Sequence, residues 1–293
     1  MAATCIAPTG DRCGEAVTWH AEEQAVYWTD INRFLIHRLD AAGGGVHTWL
    51  FEEPVVALAL TTRPGTLLVA LGSRLLLWRP ETDARGEHGF TLPGWPRVRL
   101  NDARADPAGN FWVGSMKNNV LADGGEGEVG PGEGTLFRIA PDGAVTVWRE
   151  RLGISNTLCW SPDRTRFYSA DTLENEVRVY DYDAGSGTIA NERPFLQAAG
   201  AGFPDGSAMD REGSLWNCRY GGGCILRAAS DGRTVERVPM PVANITTAAF
   251  GGEALKTLYV STAQHPGERL SGSLFKLEVD VPGLPENRFR LQP

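Results

Sequence analysis

Two short landmarks, repeated six times in the same order, constrain this 293-residue chain more than any other feature. The first is a turn followed by a strand with an aromatic or apolar anchor. Residues 106–116 read D-P-A-G-N-F-W-V-G-S-M and residues 210–220 read D-R-E-G-S-L-W-N-C-R-Y, with looser copies at 20–30, 63–72, 161–171 and 251–263. The second is an apolar strand that usually contains a basic residue, at 35–39, 76–79, 135–139, 177–180, 225–228 and 274–277. The period is about 49 residues, which suits one four-stranded propeller blade. A β-sandwich with accidental repetition would not keep two landmarks in one order six times. No segment of helical period stands out, and 35 glycines supply the turns that many short strands require. The expected fold is therefore all-β: a six-bladed β-propeller, residues 1–293 as one domain, with four-stranded antiparallel blades around a central channel.

The repeats also say which residues share a position in each blade. The anchors are Tyr27, Leu68, Trp112, Tyr168, Trp216 and Tyr259. Eleven or twelve residues before them stand Glu15, Val56, Asn101, Asn156, Asp205 and Thr247. That step crosses the turn into the preceding strand, near its start. The first strand of a propeller blade lines the channel, so these positions should converge. Four of the six are carboxylates or carboxamides. Two buried anions repel each other and lose hydration, and a cation removes both penalties. A set of oxygen donors without His or Cys points to one hard divalent ion, Ca²⁺ or Mg²⁺, with Mn²⁺ also suitable. Zn²⁺ accepts carboxylates too, although this is not its usual structural set.

Other features exclude function classes. The formal charge is −8 and the pI about 5.2, with no basic run, so nucleic acid is not an expected partner. No apolar stretch approaches membrane length and no basic-plus-apolar leader opens the sequence. Five cysteines without a C-x-x-C pair read as reduced thiols, which suits a cytoplasmic protein. No nucleophile elbow or phosphate-binding loop is found, and the glycine runs at 43–45 and 221–223 fall in turns. Residues 122–134 are rich in glycine and acid and read as a mobile surface loop. Of five scattered histidines only His265 is expected near a pocket. Trp19 and Trp95 read as core side chains before they read as ligand-stacking ones.

At these residues the chain resembles the senescence-marker-protein/gluconolactonase/luciferin-regenerating-enzyme family over nearly its whole length. The likeness rests on five stretches in order: G-E-A-V-T-W at 14–19, R-L-N-D-A-R-A-D-P-A-G-N-F-W-V-G-S-M at 99–116, S-N-T-L-C-W-S-P-D at 155–163, F-P-D-G-S-A-M-D-R-E-G-S-L-W at 203–216, and A-Q-H-P-G-E-R-L-S-G-S-L-F at 263–275. The resemblance implies one divalent metal held by Glu15, Asn156 and Asp205, with Arg99 and Asn101 facing the substrate. Two departures stand out. Thr157 replaces the glycine that follows the family's asparagine, and Lys117, Asn118 and Asn119 stand where many relatives carry acids after the Gly-Thr-Met. These three are expected at the pocket rim.

The activity that the resemblance implies is metal-dependent hydrolysis of a small sugar (aldono)lactone, on Ca²⁺, Mn²⁺, Zn²⁺, Mg²⁺ or Fe²⁺. The metal would polarise the carbonyl, and either Asp205 or a metal-bound hydroxide would activate water. Two alternatives keep the fold: an organophosphate or aryl ester hydrolase, or a propeller that binds metal without catalysis. A propeller buries its core without a partner, so a monomer or weak oligomer is expected.

Overall fold

The computed structural model describes residues 1–197 and 200–292. A short strand, β1 (Thr4–Ala7), precedes the first blade, which comprises β2 (Gly14–His20), β3 (Ala25–Asp30), β4 (Leu35–Asp40) and β5 (His47–Leu50). The second blade holds β6 (Val55–Thr61), β7 (Leu67–Leu71), β8 (Arg74–Arg79) and β9 (Ala84–Thr91). The third holds β10 (Val98–Ala105), β11 (Phe111–Lys117), β12 (Gly134–Ile139) and β13 (Val145–Leu152). The fourth comprises β14 (Ser155–Trp160), β15 (Arg166–Asp171), β16 (Glu176–Asp183) and β17 (Thr188–Gln197). The fifth comprises β18 (Phe203–Met209), β19 (Leu215–Tyr220), β20 (Cys224–Ala228) and β21 (Thr234–Pro239). The sixth adds β22 (Ile245–Gly251), β23 (Thr257–Thr262) and β24 (Leu274–Glu278).

Each blade is an antiparallel meander, and the innermost strands contact one another in a closed cycle, β2, β6, β10, β14, β18, β22 and back to β2. This is the six-bladed propeller expected from the repeats. The two landmarks are the second and third strands of every blade. In the third and fifth blades the turn is built alike. Asp106 accepts the Ala108 and Asn110 amides at 2.9 and 2.8 Å and the Trp112 Nε1–H at 2.8 Å. Asp210 does the same for Glu212, Ser214 and Trp216, at 3.0, 2.8 and 3.0 Å. One carboxylate thus closes the turn and holds the indole between sheets. Trp28, Trp78, Trp112 and Trp216 are fully buried, each worth on the order of 4 kcal/mol of apolar burial.

The ends of the chain close the ring. β1 pairs with β24 as the outermost strand of the sixth blade, Thr4 opposite Lys276. The C-terminal segment crosses the far end of the channel. Gly283 bridges Asp210, Asn287 Nδ2 donates to the Ala105 carbonyl at 3.2 Å, and β25 (Arg288–Phe289) runs parallel to β6 on its inner edge. Among the described residues there is no helix, hence none long and apolar enough to cross a membrane.

Candidate active site

Every innermost strand carries a register break near its start: Glu15/Thr18, Val55/Ala57, Leu100/Ala103, Asn156/Cys159, Pro204/Ser207 and Ile245/Ala248. An extra residue there bends the strand and re-aims its side chains. The six positions found by the 11–12 residue step all lie at or inside these breaks. In β2 and β14 the residue after the acid or amide is left-handed, Ala16 at φ 54° and Thr157 at φ 58°. That conformation is a genuine outlier for a β-branched residue. Thr157 is held in it by its hydroxyl, which contacts the Asp205 carbonyl and Ser207 Oγ (3.0 Å) and accepts from Asn217 Nδ2 at 3.2 Å. Two glycines let the blades converge: a Cβ on Gly114 would lie 2.2 Å from the Ser155 side chain, and one on Gly206 2.1 Å from Thr247 Oγ1.

The result is a cavity of about 380 Å³ at the channel end opposite the C-terminal crossing. Glu15, Arg99, Asn101, Asn119, Asn156 and Asp205 all line it. Lys117 and Asn118 do not. Asn118 donates to the Pro96 carbonyl at 3.0 Å and accepts the Val120 amide at 3.1 Å, and the Lys117 chain lies along Gly130. His265 is half exposed beside Glu268, and Trp19 stacks on Tyr259 in the core.

Glu15 and Asp205 are buried and line the same cavity. Burial first, and then neighbouring carboxylates, hold both well above the usual carboxylate range. Beneath them Asp102 is pushed up to about 6 by burial, against the pull of Arg104. Asn156 completes the set, and its orientation follows from its partners. Thr172 Oγ1 donates to the Pro204 carbonyl at 2.7 Å, so towards Asn156 it accepts, at 2.9 Å from Nδ2. The Asn156 carbonyl oxygen is thereby turned away from Thr172 to Asn101, whose Nδ2 donates to it at 3.1 Å. Two carboxyls whose ionisation is opposed by burial and neighbouring charge, with an amide oxygen fixed beside them, fit a hard divalent cation. Among the described residues no three His, Cys, Asp or Glu cluster for a metal, so two carboxylates and a carboxamide are what this set offers.

Arg99 is 4% exposed, and its burial lowers its pKa. Its Nη1 donates to the Leu100 carbonyl (2.9 Å) and Asn101 Oδ1 (2.7 Å), while Nε and Nη2 converge on Asn119 Oδ1 at 3.2 and 2.9 Å. Of five N–H groups one remains free for a ligand.

Thr172, Tyr220, Phe203 and Glu126 also line the cavity and escaped sequence reasoning. Thr172, Phe203 and Tyr220 lie off the repeat position that was followed. Glu126 sits in the 122–134 segment, read above as a mobile loop. Instead that segment is tied to the first blade: Arg12 Nη1 donates to the Asp123 carbonyl at 2.7 Å and Asn32 Nδ2 to that of Gly124 at 3.0 Å. Its acidity was the available signal.

Residues 13–264 match the SMP-30/Gluconolactonase/LRE-like region. The chain is 32% identical to "Pentonolactonase XacC" of Haloferax volcanii, covering 98% of both chains, and 33% identical to "6-deoxy-6-sulfogluconolactonase" of Pseudomonas putida, covering 97% of both. Among solved structures it is similar to the calcium-binding protein regucalcin of Agrobacterium tumefaciens, with a TM-score of 0.91, 28% identity, and 99% and 98% of the two chains covered.

Proposed function

The chain belongs to the SMP-30/gluconolactonase/LRE-like family, and from that membership we propose that it is a metal-dependent lactonase opening a small sugar (aldono)lactone to the sugar acid. The observation that carries the reading is the facing pair Glu15 and Asp205 with the oriented Asn156 amide, beneath a cavity of sugar size. A divalent cation held by Glu15, Asn156 and Asp205 would polarise the lactone carbonyl and offset charge on the tetrahedral intermediate.

The rest falls to the chain. Asp205 anchors Oδ1 on the Gly206 amide at 3.0 Å, which leaves Oδ2 for the cation and for orienting the attacking water. Metal ligation lowers a carboxylate's basicity, so Asp205 contributes more by orienting the water than by base strength. The water's proton passes to the ring oxygen as its bond to the carbonyl carbon breaks, which gives the hydroxy acid. Arg99 offers its one free N–H to a substrate oxygen, braced by Asn119. Asn101, engaged with Arg99 and Asn156, couples substrate side to metal side. Five unpaired cysteines suit a reducing, cytoplasmic setting, and the closed ring asks for no second copy.

The test is acid release from a panel of pentono- and hexonolactones with Ca²⁺, Mn²⁺, Zn²⁺, Mg²⁺ or Fe²⁺ added to metal-stripped protein. Turnover above the spontaneous rate should fall by about 10²-fold or more in Asp205→Ala and Glu15→Ala. If no lactone–metal pair exceeds the spontaneous rate, the reading fails. Turnover of an aryl ester or phosphotriester instead would favour the alternative hydrolase.

A further inference from the structure

The segment between β11 and β12 reaches from the third blade across the cavity to the first. It is a small hairpin: Val120 bridges Glu126, the Leu121 amide donates to the Gly125 carbonyl at 3.0 Å, and the Gly127 amide to that of Asn119 at 2.6 Å. Gly124 at its tip has φ 74°, and a Cβ there would lie 2.5 Å from Arg12 Nη1 and 2.8 Å from the Asn32 carbonyl. The tip is thus seated on the first blade, and the hairpin holds Glu126, Gly127 and Val129 in the cavity wall.

Glu126 lies exposed at the mouth, and among the described residues its carboxylate has no hydrogen-bond or ion-pair partner. Crowding by its surroundings raises its pKa, opposed by Arg99. Arg99 is the only cationic side chain among the described lining residues, and four of its five N–H groups are occupied. A bidentate grip on an anion is therefore not available. With a divalent cation balancing Glu15 and Asp205, the outer cavity retains one unpartnered carboxylate, an acceptor suited to hydroxyl groups. Resting on the lactonase reading, we propose that Glu126 is a substrate-specificity residue: it accepts a hydrogen bond from a hydroxyl remote from the carbonyl of a neutral polyhydroxy lactone and excludes lactones bearing an anionic group there.

The experiment compares kcat/KM on a neutral hexonolactone and its 6-phosphate for the wild type, Glu126→Gln and Glu126→Ala, with divalent-cation affinity measured alongside by calorimetry. The preference for the neutral lactone should shrink by roughly 10- to 100-fold in both variants, through slower neutral and faster anionic turnover. Cation affinity should stay within about twofold, since Glu126 is outside the metal set. An unchanged preference overturns the proposal. If the wild type hydrolyses neither lactone, binding of the neutral lactam and its 6-phosphate is compared by calorimetry. A preference that Glu126→Gln erodes sustains this inference while the lactonase reading falls. No preference, or no binding of either lactam, overturns it.

Discussion

Thr172→Val isolates the orientation of one amide. The hydroxyl of Thr172 holds the Asn156 nitrogen outward, while Asn101 Nδ2, itself set by Arg99, holds the Asn156 oxygen at 3.1 Å. Valine keeps the shape and removes the oxygen. One neutral hydrogen bond of about 1 kcal/mol is lost on each side, and the Pro204 carbonyl is left without this donor. The larger consequence concerns the cation. Asn101 alone then holds the amide, and each rotation that points N–H groups at the site cancels a ligand. Loss of such an outer partner typically weakens metal affinity about 10- to 100-fold, or roughly 1.4–2.7 kcal/mol. Isothermal titration of metal-stripped protein with Ca²⁺ and Mn²⁺ measures it directly. Turnover at saturating metal should change by no more than about threefold, because the site refills. Thr172→Ser, which restores the hydroxyl, should return the affinity. If Thr172→Val binds both ions within twofold of the wild type while Asn156→Ala does not, the orientation argument is wrong.

Acid stability offers a second check. Glu15, Asp205 and Asp102 have folded values above their unfolded ones, so without metal the folded state holds protons that the unfolded chain releases. That stability is complete below about pH 4 and is lost as pH rises through the folded values, about 6 for Asp102. Metal-stripped protein should therefore have a higher Tm at pH 5 than at pH 7.5, and saturating divalent cation should abolish or reverse the difference. Asp102→Asn should stabilise the stripped protein at pH 7.5 by on the order of 1–2 kcal/mol. A stripped protein whose Tm climbs from pH 5 to 7.5 refutes the reasoning. Gly206→Ala would press a methyl group against Thr247; we expect a loss of about 2–3 kcal/mol in urea unfolding and weaker metal binding. An unchanged midpoint would mean that the fifth and sixth blades do not need that close approach.

The blades were legible because their repeat has a local physical cause. Asp106 and Asp210 each close a turn and hold an indole six residues later, so both parts must recur together. Where the device is altered the copy degrades: Ser161 takes the turn position and its hydroxyl accepts the Arg166 amide at 3.0 Å, ahead of Phe167. The outermost strands were not read, since exposed faces such as that of β9 carry no hydrophobic period. The central acids and amides were found because the register break falls at nearly the same place in every blade. Thr172, Arg99's bracing by Asn119 and the reach of Glu126 depend on contacts between segments or blades, which no local spacing encodes. The 122–134 segment shows the same limit. Its composition suits a free loop, yet Arg12 and Asn32, about a hundred residues earlier, give its backbone carbonyls partners.

The pairing of β1 with β24 sets an order of events for synthesis. Thr4 leaves the ribosome 272 residues ahead of its partner Lys276 (276 − 4). Until then the sixth blade lacks its outer strand and the ring lies open, whatever the earlier blades have achieved. Contacts of such long separation form slowly, so blade meanders should assemble as the chain emerges and closure should come after release. Joining the two ends and reopening the chain between β5 and β6 would make a permutant in which only the C-terminal crossing and β25 separate β24 from β1. Its β1–β24 pairing would no longer wait on the two extremes of the polypeptide, and closure would pass to the contacts of β6 with β2 and β25.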